Sequence, residues 1–276
     1  MAPDRMTVPR LLVADIDGTL VRSDKSLSER TIDAAKRLID AGISISLISA
    51  RPPSGMLWIA DRLGLTAPLA AFNGGTIVQP DGVLLSTARL APDVARRALA
   101  LIDRPAIVKW LFHAGRWHIE RPDGTHDVAE RKAANQQPVI GGDFRQLLDA
   151  ADKIVAVTDD HAMLAALEPH VARALGNGAT VARSQPYYLD ITAPTANKGD
   201  GVAVLADAAG VPLDAVAVIG DQRNDIAMFR RAGLAIAMAQ APAEVRACAT
   251  RVTGSDDEDG VAQAIDSILL PMVAAR

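Results

Sequence analysis

Aromatic side chains make up only 3% of this 276-residue chain, so its interior has to be built mainly from Ala, Val, Leu and Ile. It has one cysteine, Cys248, which excludes an intrachain disulfide and fits a reducing compartment. Cys248 stands in the Ala-rich segment AEVRACAT and is expected to be a small buried side chain rather than a reactive thiol. There is no long basic run and the formal net charge is -4, so the electrostatic footprint of a nucleic-acid binder is missing. No stretch approaches the ~20 apolar residues of a membrane span. The opening MAPDRMTVPR lacks the apolar run of a signal peptide. A cytoplasmic protein with neither a membrane nor a nucleic-acid partner is expected. No pair among His113, His118, His126, His161 and His170 has the i, i+4 spacing of a zinc-binding helix.

What is present is an ordinary globular composition, 49% hydrophobic and 22% charged, in a chain long enough for one large domain or two smaller ones. Leu11 to Ala14 is a short apolar run suited to a buried parallel strand. Ser28 is a candidate N-cap for a helix that buries Ile32, Ala35, Leu38 and Ile39 and stops at Gly42. ISISLIS, PSGMLWIADRLG and Leu69–Phe72 then read as strand, helix and strand. This alternation predicts a parallel α/β sheet. It lapses between residues 80 and 186, where Asp93–Ile102 and Met163–Leu175 read as helices and IVKWLFHAGRWHIE as a hairpin turning at Ala114-Gly115. It resumes with YYLDI as a strand, Lys198–Ala209 as a helix, AVAVIG as a strand, DIAMFRRAG as a helix, LAIAM as a strand and DGVAQAIDSILL as a helix. The expected organisation is a doubly wound parallel-sheet core, residues 1–79 and 187–276, interrupted by an α/β module, residues 80–186. The acidic run at 255–259 is expected to be a solvated loop leading into the last helix.

Four polar clusters fall at the carboxyl ends of predicted strands, where open α/β sheets bind ligands. Asp15 and Asp17 follow the first strand, with Gly18 permitting a sharp turn after them. Two such carboxylates repel each other and call for a hard cation such as Mg²⁺. Ser49-Ala50-Arg51 follows the second strand, offering a hydroxyl and backbone N–H groups for phosphate. Lys198 opens a helix and offers a positive charge without needing a carboxylate partner. Asp221, with Asn224 and Asp225 a turn later, follows AVAVIG. Alone, each has a structural reading: a turn, an N-cap, a solvated cation, a helix cap.

Together, DIDGT at 15–19, Ser-Ala-Arg at 49–51, NKG at 197–199 and GDQRND at 220–225 resemble the haloacid dehalogenase-like (HAD) superfamily, within it the Cof-type phosphatases. Asn73-Gly74 and the late DGVAQAI also resemble this family, and the insert stands where its large α/β cap would. The resemblance implies Asp15 as nucleophile and metal ligand. It implies Asp17 as proton donor, then base, with its backbone carbonyl on the metal. Ile16, Ser49, Ala50, Lys198 and Asn224 would hold the phosphate, and Lys198 would also neutralise Asp15. Asp221 would ligate Mg²⁺ directly and Asp225 through water, with Arg51 and Asn73 on the substrate side. The second motif departs from the family's usual Thr-Gly-Arg. Alanine keeps the N–H and is tolerable if its φ is negative. The implied activity is Mg²⁺-dependent hydrolysis of a small phosphorylated metabolite, a sugar phosphate above all. The alternatives are a phosphomutase or phosphotransferase on the same core, and a non-catalytic phosphate-binding protein. Trp110, Phe112, Trp117, Tyr187 and Tyr188 are expected to fill the cap core in preference to lining a pocket. Lys109, Arg116, Arg121, Arg131, Lys132 and Arg183 are the cap cations from which a specificity residue would come.

Overall fold

The computed structural model describes residues 7–275, so most of the opening segment weighed as a signal peptide lies outside the described residues. The chain begins with β1 (Leu11–Ala14), whose four apolar residues are all buried, then α1 (Glu29–Asp40) and β2 (Ser44–Leu47). Ser28 caps α1 as expected, accepting a hydrogen bond from the Thr31 N–H. Next come α2 (Ser54–Leu63), β3 (Leu69–Ala71), β4 (Thr76–Val78) and β5 (Leu84–Thr87). The middle of the chain forms α3 (Pro92–Leu101), the hairpin β6 (Val108–His113) and β7 (Arg116–Ile119), α4 (His126–Ala134) and β8 (Val139–Ile140). It continues through β9 (Ala151–Val157), α5 (His161–Leu175), β10 (Thr180–Gln185) and β11 (Tyr188–Thr192). The last part holds α6 (Lys198–Ala208), β12 (Val216–Gly220), α7 (Ile226–Phe229), β13 (Leu234–Ala237), α8 (Ala243–Arg246), β14 (Arg251–Val252) and α9 (Gly260–Ala264).

The core sheet has the order β14-β13-β12-β1-β2, and every pairing in it is parallel. β1 is central, which is why an apolar tetrapeptide with no polar alternation suits it: both faces are covered. A single bridge, Ile48 to Ala70, joins this sheet to the antiparallel β3-β4-β5. The second sheet has the order β10-β11-β9-β6-β7-β8 and is antiparallel except for β7 against β8. Its strands alternate with period two. Leu111, Ile154 and Ala156 pack with residues of α3 and α5 on one face. Trp110, Phe112, Val155 and Val157 look the other way and pack into the cluster that includes the core. The second sheet therefore lies over the core as a cap.

Three boundaries differ from the expectation. YYLDI is not a strand of the parallel sheet: β11 pairs antiparallel with β9 and β10, so the inserted module runs on to about residue 192. A buried apolar strand reads alike in either sheet, and only its partners tell them apart. At the other end, β5 pairs with β4, so the core side extends past residue 80. The expected helix DIAMFRRAG, residues 225–233, is reduced to α7, which follows a one-turn 3₁₀ segment at Arg223–Asp225. The expected final helix is present from Gly260 to Ala274, with a π-turn over Ile265–Leu269. Cys248 is exposed, not buried, because it lies beyond the short α8. In the acidic run, Asp259 is not left to solvent: both its oxygens accept from Arg22. No helix among the described residues is long and apolar enough to cross a membrane.

Candidate active site

The carboxyl ends of β1, β2 and β12 and the start of α6 meet under the cap. Parallel strands side by side end side by side, so residues far apart in sequence converge there. Lys198, the first residue of α6, is 2% exposed and donates to Asp15 Oδ1 and to Asp225 Oδ1, each at 2.6 Å. Buried this deeply, an ammonium needs counter-charges, and Lys198 has two. Asp225 Oδ2 accepts the backbone N–H groups of Asp221 and Gln222, both at 2.8 Å. Asp221 accepts from Thr19 Oγ1 at 3.0 Å and Gln222 Nε2 at 2.9 Å. Carboxylate oxygens of Asp15, Asp221 and Asp225 lie within 4.8 Å of one another.

Two glycines make this packing possible. Gly18 has φ of 77°, and a Cβ there would stand 2.6 Å from Asp221 Oδ2. A Cβ on Gly220 would stand 2.5 Å from the Asp225 carboxyl carbon. The crowding of charge shows in the acidities. Burial, together with Asp225 and Asp17, pushes the Asp15 carboxyl up to about 6 against the pull of Lys198. Burial and the charges of Asp15 and Asp225 raise Asp221 well above the usual carboxylate range.

Asp17 is in a different setting. Burial would raise its carboxyl, but Arg51 and Lys25 overcome this and hold it far below the usual range. Arg51 grips it bidentately, Nε at 2.7 Å and Nη2 at 2.8 Å, and Lys25 Nζ lies 2.8 Å from Oδ1. Its carboxylate is thus not in the cluster of Asp15, Asp221 and Asp225. Asp225 is in that cluster, but its oxygens already accept three hydrogen bonds.

Ser49 and Ala50 line the same cleft. Ser49 does not cap α2, which starts only at Ser54; its Oγ accepts from the Arg51 N–H at 3.2 Å. Ala50 is absent from the residues with positive φ, so its methyl costs no strain where the resembled family has glycine. Asn73 has φ of 59° and is 5% exposed, and its Oδ1 accepts from Asn224 Nδ2 at 3.2 Å. Asn224 Oδ1 is buried with no partner. Ile16 is fully buried, and its carbonyl accepts from Thr19, Leu20 and Val21 to form the turn after Asp15.

The cap closes the cleft from above. Of its aromatic residues, Trp110, Phe112 and Trp117 are buried packing, whereas Tyr187 and Tyr188 line the cleft. None of the six cap cations singled out from the sequence lines it. Lys153 does instead: its Nζ donates to the Ala50 carbonyl at 2.9 Å and lies 4.9 Å from the Phe112 ring centroid. Its one sequence signal is a lysine inside the apolar run ADKIVAV. Lys25 and Glu130 also line the cleft and carried no such signal.

Comparison with known proteins places the chain in a family. A family profile described as haloacid dehalogenase-like hydrolase matches residues 12–265. The chain is 30% identical over 244 residues to the HMP-PP phosphatase of Escherichia fergusonii, spanning 86% of this chain and 87% of that one. It is 26% identical over 269 residues to the 5-amino-6-(5-phospho-D-ribitylamino)uracil phosphatase YitU of Bacillus subtilis, spanning 93% and 96%. Among solved structures, a haloacid dehalogenase-like hydrolase from Bacteroides thetaiotaomicron superposes with a TM-score of 0.80 at 27% identity, over 94% of this chain and 99% of that one. A HAD subclass IIB sugar phosphatase shares the fold, with a TM-score of 0.81 at 21% identity over 93% and 98%. The chain is an enzyme of the haloacid dehalogenase-like hydrolase family, in its Cof-type phosphatase branch.

Proposed function

We propose that this protein hydrolyses small phosphate monoesters, with Mg²⁺ as cofactor and a phosphoryl group carried transiently on Asp15. The observation that carries the reading is the buried Asp15–Lys198–Asp225 constellation, with Asp221 beside it. Three buried carboxylates share one buried cation, and two of the three are pushed toward protonation. A divalent cation would relieve that imbalance, and an all-oxygen donor set suits Mg²⁺. Asp15 and Asp221 would hold it with the Asp17 carbonyl, and Asp225 through water. Bound there, it would neutralise charge on the phosphoryl oxygens.

Phosphoryl transfer asks the protein mainly for positioning and charge neutralisation. Lys198 fixes Asp15 Oδ1, and Asp15 forms a bond to phosphorus as the bond to the leaving oxygen breaks. Ser49 Oγ and the backbone N–H groups of Ile16 and Ala50 would bind the equatorial oxygens. The leaving oxygen takes its proton from Asp17, which later removes a proton from the water that attacks phosphorus. Free phosphate departs and Asp15 is restored. Asp17 as it stands is held ionised by Arg51 and Lys25. A phosphate dianion entering the cleft competes for both cations, which frees Asp17 to take up a proton.

The leaving group would be a small metabolite, a sugar in first place. The relatives named HMP-PP phosphatase and 5-amino-6-(5-phospho-D-ribitylamino)uracil phosphatase support a small phosphorylated metabolite, the second with its phosphate on a ribityl chain. Asp15→Asn tests the whole scheme. It should fold, yet release no phosphate from p-nitrophenyl phosphate with Mg²⁺ present. Wild-type turnover in that variant excludes the covalent route. Transfer of phosphate to a second hydroxyl without its release would indicate a mutase.

A further inference from the structure

Every cation facing the cleft already has an anionic or carbonyl partner. Lys198 is on Asp15 and Asp225, Arg51 on Asp17 and the Gly55 carbonyl, and Lys25 on Asp17. Lys153 is on the Ala50 carbonyl, with Asp190 Oδ1 at 3.8 Å. The Tyr188 hydroxyl points to the His126 carbonyl at 3.4 Å. Among the charged side chains that line the cleft, Glu130 is the exception. It is 8% exposed and lines the cleft, yet its carboxyl has no hydrogen-bond or ion-pair partner among the described residues.

Its position is set by α4. Residues 126, 130, 133 and 134 share the buried face of that helix, as its 3.6-residue period requires. The face is drawn tight to the core: a Cβ on Gly55 of α2 would stand 2.1 Å from the Ala133 carbonyl oxygen. Ala129, Glu130 and Ala133 are the α4 residues that reach the cleft. The two alanines carry no side-chain polar atom, so Glu130 is the only polar side chain this helix presents to a substrate. Its oxygens open into the cleft instead of being sealed in packing, so a donor on a bound ligand can reach them.

We propose that Glu130 is the cap-side specificity residue, its carboxylate accepting a hydrogen bond from a hydroxyl or amino group of the leaving group. The preferred esters therefore carry a neutral polyol or a cationic amine on the cap side, and a second anionic group there is rejected. This rests on the phosphatase reading above and assigns the part of the substrate that the phosphate site does not touch.

The test compares three esters of one carbon skeleton: glucosamine 6-phosphate, glucose 6-phosphate and 6-phosphogluconate, with p-nitrophenyl phosphate as the generic ester. The wild type should prefer the first two over the third in kcat/KM. Glu130→Gln should shrink that preference by about ten- to a hundredfold, the worth of one hydrogen bond to a charged group. Glu130→Asp, which keeps the charge on a shorter stem, should retain the direction of preference with a raised KM. Thermal melts establish that both variants fold. A wild type that hydrolyses p-nitrophenyl phosphate but turns over none of the three, or ranks them equally, overturns the assignment and leaves the phosphatase reading intact. So does a Glu130→Gln variant that lowers all three by the same factor. No phosphate release from any ester, p-nitrophenyl phosphate included, overturns the phosphatase reading and this inference with it.

Discussion

Lys198→Met removes a charge and keeps most of the volume. Its Nζ is the buried cation between Asp15 and Asp225, 2.6 Å from each, in a site that also holds Asp221. Without it, three carboxylates face one another out of water. Removing one partner of a buried ion pair costs on the order of 3–5 kcal/mol. Asp15 already sits at about 6, so proton uptake limits the loss and the lower end of that range applies near neutral pH. For a chain of this size each kcal/mol lowers the melting temperature by about 2–4 °C, which gives a drop of roughly 6–12 °C. The measurement is a thermal melt in chelator of the wild type, Lys198→Met, Asp225→Asn and the double variant. The double variant should be more stable than the sum of the singles, by about 0.5–3 kcal/mol of coupling, because one charge of each sign has gone. Added Mg²⁺ should restore part of the stability of Lys198→Met by binding the folded state, but none of its turnover. A Lys198→Met variant melting with the wild type in chelator refutes the reasoning, since it would mean the three carboxylates do not need this cation.

Three further outcomes are expected. Gly18→Ala should destabilise the fold by more than about 1 kcal/mol and weaken Mg²⁺ binding, since its φ of 77° is strained for alanine and its Cβ would stand 2.6 Å from Asp221 Oδ2; calorimetric Mg²⁺ titration checks it, and unchanged affinity counts against the placing of Asp221. Activity should vanish in chelator and return with Mg²⁺, while Ca²⁺ inhibits, because its longer bonds and higher coordination number would engage both Asp15 oxygens; phosphate release in metal-exchanged protein decides this. In chelator, Asp15 has its folded-state pKa raised from 3.8 to about 6, so the folded protein binds the extra proton and the contribution of Asp15 to stability falls as pH rises through that window; melts should show the wild type losing ground to Asp15→Asn from about pH 4 to pH 6, with Mg²⁺ flattening the trend, and a parallel course for both proteins in chelator would contradict it.

The sequence by itself determined the chemistry-bearing ends of the core strands. DIDGT, Ser-Ala-Arg, NKG and GDQRND each follow or precede a regular element, and a parallel sheet has one carboxyl edge, so their convergence was implied before any coordinate was known. Local rules also sufficed for the Ser28 cap, the Ala114-Gly115 hairpin and the aromatic packing of Trp110, Phe112 and Trp117. What the tertiary structure alone decided were the partners. The membership of Tyr188–Thr192 in the cap sheet depends on hydrogen bonds to β9 and β10, which an apolar pentapeptide does not encode in its own pattern. The clamp of Arg51 and Lys25 on Asp17 joins the β1–α1 and β2–α2 loops, and the placing of Glu130 and Lys153 over the cleft depends on how the cap docks. Cys248 belongs here too: its Ala-rich neighbours suggest burial, yet its place just beyond α8 leaves it exposed. Periodicity and turn chemistry act over a few residues and are written along the chain, whereas docking depends on contacts between segments a hundred residues apart, such as Lys153 with Ala50, and becomes legible only when the chain is folded.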